Sequence, residues 1–72
     1  MKTVANLVPG ESGFIENVAE SEILLKLLDM GCLPGERVMM KYIAPLGDPI
    51  CINISGYDLI LRLDEASTIE LK

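Results

Sequence analysis

Between Ile50 and Leu63 the side chains alternate so strictly that the segment fits two strands joined by a turn, and not a helix. Ile50, Ile52 and Ile54 share one side of an extended chain, while Cys51, Asn53 and Ser55 share the other. Gly56 turns the chain, and Leu59, Leu61 and Leu63 then repeat the pattern, with Ile60 outward between Asp58 and Arg62. A helix would scatter these isoleucines around its axis; a strand gathers them on one face.

The same period recurs upstream. In Arg37–Ile43, residues Val38, Met40 and Tyr42 share a face opposite Arg37, Met39, Lys41 and Ile43. A short first stretch, Thr3 to Val8, ends at the Pro9-Gly10 turn signal. Gly13–Val18 then reads as a strand leading into a helix. Alternation puts Ile15 on the core side and Phe14, Glu16 and Val18 on the other, which leaves Phe14 near the surface. Asp64–Ser67 suggests a single helical turn, and Thr68–Leu71 is a last strand that offers Ile69 and Leu71 to the core. About five short strands with one helix inserted after the second predict a mainly β fold, a small and partly open barrel. With 72 residues there is room for one core, so residues 1–72 are expected to form one domain.

The helix lies between Asn17 and Gly31. Asn17 or Ser21 is a candidate N-cap, and Asn17 with Glu20 three positions later resembles a capping box. Gly31 supplies the left-handed conformation expected past a C-terminus, and Pro34 stops the helix from resuming. Placed every 100°, Met30, Ile23, Leu27, Leu24, Leu28 and Leu25 cover an apolar arc of about 220°. A helix on one small sheet buries about half its circumference, so Leu25 and Met30 at the arc's edges are candidates to stay uncovered in a lone subunit. Loops covering them is the ordinary outcome; a partner or self-association surface is the sharper one.

Composition narrows the classes. Half the residues are hydrophobic, yet the aromatics are only Phe14, Tyr42 and Tyr57, so the core is expected to be aliphatic. Apolar runs such as Ile23-Leu24-Leu25 fall far short of the roughly 20 residues of a membrane helix. The start, Met1-Lys2-Thr3-Val4, lacks a signal-peptide core, which points to a soluble, intracellular protein without membrane insertion. Eleven acids against six scattered bases give a net charge of −5. Nucleic-acid binding needs a basic stripe, and this chain offers none.

Catalysis finds no histidine, no nucleophile elbow and no phosphate-cradling glycine loop, so no enzyme is expected. The acids Glu20, Glu22, Asp64 and Glu65 read as helix-end groups on solvated surface. For a metal, the weak candidates are Cys32, Asp48 and Cys51, a carboxylate and thiolate set that a ferrous ion accepts. The two cysteines read first as reduced thiols, with a bridge or a two-thiolate site as alternatives, and Asp48 reads as a local turn acceptor. Met30, Met39 and Met40 are better explained by packing than by a soft metal. The tip Pro45-Leu46-Gly47-Asp48-Pro49 is stiffened by two prolines and presents Leu46, which suits protein recognition as well as a simple hairpin turn.

Two punctuated junctions resemble the ferrous iron transport protein A (FeoA) family. They are Leu28-Asp29-Met30-Gly31-Cys32-Leu33-Pro34-Gly35 and Ala44-Pro45-Leu46-Gly47-Asp48-Pro49-Ile50. Leu7 with Pro9-Gly10-Glu11, and Tyr57 through Leu71, carry the likeness over nearly the whole chain. The resemblance implies an SH3-like barrel with a helical insertion, a cytoplasmic location and no enzyme activity. It further implies an accessory role in iron uptake through contact with the membrane ferrous permease FeoB and its GTP-binding domain. Partner contacts on this reading are Phe14, Leu25, Met30, Leu46 and Asp48. Phe14, Leu25 and Cys51 stand where members often carry polar or charged side chains, as an enlarged partner surface or a drifted sequence would. The same barrel occurs as the C-terminal domain of iron-dependent repressors of the diphtheria-toxin type. The alternative is therefore a metal-responsive domain taking Fe(II) or another divalent transition metal through Asp48 and a cysteine. A methionine start without a winged-helix segment favours a free-standing protein, with a piece of a longer regulator or permease left open.

Overall fold

In the computed structural model, which describes residues 2–72, the alternating segments form β1 (Ser12–Val18), β2 (Arg37–Ile43), β3 (Ile50–Ile54), β4 (Tyr57–Leu61) and β5 (Ile69–Leu71). All pairings are antiparallel and the sheet order is β4-β3-β2-β1-β5. The end strands β4 and β5 do not pair with each other, so the barrel stays open as expected. Two short helices, α1 (Leu24–Asp29) and α2 (Leu63–Ala66), complete the fold.

The β3–β4 register explains why the alternation was readable. Ile50 faces Leu61, Ile52 faces Leu59, and Ile54 faces Tyr57, across the two-residue turn Ser55-Gly56. Both turn residues have positive φ, 51° and 83°, the twist that matches a tight hairpin.

Two bulges break the parity elsewhere. The β2–β3 register shifts between Met40 and Tyr42, so Lys41 is the extra residue. Val38 and Met40 are buried, but Tyr42 turns to the outer face and is half exposed, contrary to the expected shared face. A second shift, between Ile15 and Asn17, brings Val18 into the core beside Ile15 although their spacing predicts opposite faces. The core is aliphatic apart from the sulfur-bearing Cys32 and Met40, and all three aromatics are exposed.

The helix is shorter than expected and follows the first strand, not the second. Thr3 to Val8 holds a single 3₁₀ turn, Val4–Asn6, where Asn6 Oδ1 accepts the Thr3 amide at 2.9 Å. Val4 and Leu7 still drop into the core. Asn17 caps nothing: it lies in β1, and its Nδ2 donates to Glu70 Oε1 at 3.4 Å. Ser21 Oγ accepts the Ile23 amide just before α1. At the other end the Gly31 amide bonds Leu28 O and the Cys32 amide bonds Leu27 O, with Gly31 at φ 97°. That pair of bonds is a Schellman motif, the stop predicted from Gly31. Leu63, expected inside on β4, instead opens α2 and is 39% exposed. No helix among the described residues is long and apolar enough to cross a membrane.

Candidate functional site

Leu46 tops the β2–β3 connection and is 96% exposed. Its loop is not loose. Gly47 N–H bonds Ala44 O at 2.7 Å, and Ala44 N–H bonds Pro49 O at 3.0 Å. Asp48 was expected to serve local turn amides. It reaches further, because Oδ1 accepts the Leu63 amide at 2.9 Å and Oδ2 lies 3.9 Å from Arg62 Nε. Asp48 therefore satisfies the first amide of α2 and places a negative charge at its start, where helix N–H groups lack partners.

The same four-residue helix holds α1. Glu65 is buried, not solvated as its sequence position suggested. Its Oε1 accepts the Arg62 amide at 2.8 Å and its Oε2 takes Lys26 Nζ, also at 2.8 Å. The Lys26 hydrogen bond and then the Arg62 amide hold its carboxyl below the ordinary glutamate range. Leu25, one residue before Lys26, is 74% exposed. Met30, at the other edge of the apolar arc, is not left uncovered: it is half buried and packs against the core. Phe14 stands on the outer sheet face opposite Arg37, half exposed. The structure thus exposes Leu25, Leu46 and Phe14 on different elements, with Leu25 and Leu46 both close to residues tethered to α2.

The three metal candidates do not converge. Cys32 belongs to the inner core, where desolvation pushes its thiol pKa up. Cys51 faces outward, as the alternation predicts, and is nevertheless buried, because Tyr42 and Ile60 flank it across the strands. The Asp48 carboxylate is taken by α2. Among the described residues no three His, Cys, Asp or Glu side chains gather where they would hold a metal ion. A shallow cleft of about 230 Å³ between Arg37, Met39, Asn53, Ser55 and Gly56 contains none of the candidates.

Sequence reading missed the outer row Tyr42–Cys51–Ile60, since only the bulge at Lys41 aligns it. It also missed Glu65 and Lys26. An acid three residues after an extended Arg62 is the one local signal for Glu65.

The FeoA domain family model matches residues 2–72. The chain is 30% identical over 70 residues to the Fe(2+) transport protein A/Fe(2+) transporter FeoB fusion protein of Porphyromonas gingivalis, covering 96% of this chain and 8% of that protein. The solution structure of iron(II) transport protein A from Clostridium thermocellum superposes with a TM-score of 0.91 at 38% identity, over 99% of this chain and 44% of that one. FeoA of Stenotrophomonas maltophilia, crystallised with zinc and described as a procaryotic SH3 domain protein, gives 0.90 at 25% identity, over 100% of this chain and 91% of its own. The chain therefore spans a small part of the fusion protein and less than half of the Clostridium chain. A family match running from Lys2 to Lys72, on an SH3-like open sheet shared with these relatives, makes this chain a member of the FeoA family.

Proposed function

We propose that this chain is a cytoplasmic accessory of ferrous iron uptake that works by docking on the cytoplasmic, GTP-binding region of the FeoB permease. Leu46 carries the reading: an apolar side chain held almost fully in solvent on a tethered tip has little entropy to lose on binding. Leu25 and Phe14 add exposed apolar side chains on α1 and β1. The Porphyromonas fusion supports the choice of partner, because one polypeptide there carries both names and keeps its parts at high effective concentration. A metal-responsive role finds no assembled ligand set among the described residues.

The test is titration of the chain against the isolated FeoB GTP-binding domain, with and without a GTP analogue. Leu25→Asp combined with Leu46→Asp should abolish binding while the circular dichroism spectrum stays native. Equal affinity of the double variant, or no binding by the parent chain under either nucleotide condition, overturns the proposal.

A further inference from the structure

We infer that two copies of this chain join edge to edge through β4, continuing the sheet across a two-fold axis that passes beside Ile60. The two edges of the sheet are not alike. Beyond β5 the N-terminal segment lies alongside: Thr3 bridges to Glu70, and the Leu71 amide bonds Lys2 O at 2.9 Å. Among the described residues β4 pairs with β3 alone. Tyr57–Leu61 carries no proline, lysine or bulge, and its one charge is Asp58.

Its free hydrogen-bonding groups follow from the turn. A two-residue hairpin makes Ile54 and Tyr57 a hydrogen-bonded pair, so Leu59 and Leu61 also bond back to β3. Asp58 and Ile60 therefore aim their amides and carbonyls at the open edge.

Side chains select the register. Asp58, Ile60 and the extended Arg62 (φ −72°, ψ 152°) share the outer face, where Asp58 Oδ1 already accepts Asn53 Nδ2 at 2.8 Å with Lys41 Nζ 4.0 Å away, and Arg62 Nε lies 3.9 Å from Asp48. Antiparallel pairing centred on Ile60 sets each Asp58 opposite Arg62 of the other copy and places the two Ile60 side chains together. Opposite charges directly across a strand pair stabilise it. Centring on Leu59 instead would put the Asp58 carboxylate against Ile60. The ladder also ends cleanly, because the Arg62 amide is already given to Glu65 while its carbonyl keeps a lone pair for the Asp58 amide. The apolar row Tyr42–Cys51–Ile60 then runs unbroken into the second copy.

Sedimentation across a concentration series tests this. The parent chain should show a reversible monomer–dimer equilibrium. Asp58→Arg or Arg62→Asp alone should raise the dimer dissociation constant at least tenfold, and combining them should restore it. Ile60→Cys adds a measurement independent of that balance: opposed positions in such a pair lie about 5.5 Å apart at Cα, within disulfide reach, so mild oxidation should yield covalent dimers. A parent chain monomeric at hundreds of micromolar, single reversals without effect, or an Ile60→Cys protein that does not crosslink overturns the inference.

Discussion

Lys26 Nζ lies 2.8 Å from Glu65 Oε2, joining α1 to α2 across 39 residues of chain. A carboxyl pKa held down in the folded state stabilises the protein above the unfolded-state pKa, and the benefit is lost as pH falls through the folded value. Glu65→Gln keeps an acceptor for the Arg62 amide and loses the charge. It should cost about 1 kcal/mol at neutral pH, since Lys26 is largely solvated. The gap to the parent should close as pH drops below about 4. Urea denaturation of both proteins along a pH series checks this; a constant gap into strong acid refutes it.

Leu27 and Leu25 are two positions apart on one helix with opposite environments, 0% and 74% exposed. Leu27→Ala should cost about 2–5 kcal/mol, the range for emptying a buried leucine site. Leu25→Ala should stay within about 0.5 kcal/mol, as exposed sites do. Urea midpoints at matched slope decide between them.

Both thiols are free and buried. Ellman's reagent should therefore label neither quickly in the native protein and both after guanidinium denaturation. Ile60→Ala uncovers one side of Cys51 and should speed native labelling there, leaving Cys32 protected in the core. Peptide mapping of the labelled protein distinguishes the two sites.

Asp48→Ala strips the Leu63 amide of its acceptor. The expected loss is about 1 kcal/mol, typical of removing a helix-start acceptor, with Asp48→Asn much milder because its amide oxygen still accepts. Hydrogen exchange at the Leu63 amide should accelerate in the alanine variant and stay near the parent rate in the asparagine one.

Strand identity was legible wherever alternation and turn chemistry agreed, as along Ile50–Leu61. Parity failed at Tyr42 and Val18, because a bulge adds one unpaired residue and reverses every face beyond it. Nothing local marks Lys41 or Glu16 as that residue. Asn17 and Glu20 matched a capping box by spacing, yet pairing with β5 kept Asn17 extended. Cys51 faces outward as its parity predicts, but the cover that buries it comes from two other strands and leaves no trace in its own segment. Asp48, readable as a local turn acceptor, and Glu65, readable as a solvated helix-end acid, both find partners that become neighbours only after folding, the Leu63 amide and Lys26. Leu46 was legible as exposed because a proline-stiffened tip is a property of a short segment, whereas the wide helical arc flagged Leu25 and Met30 alike and the core covers Met30.

One consequence follows from α2 holding both tethers. Asp48, two residues past Leu46, and Lys26, one past Leu25, end on a single turn of helix. A change at Glu65 would therefore release the Lys26 attachment and leave the Asp48 attachment in place, so the two anchors of α2 can be undone one at a time.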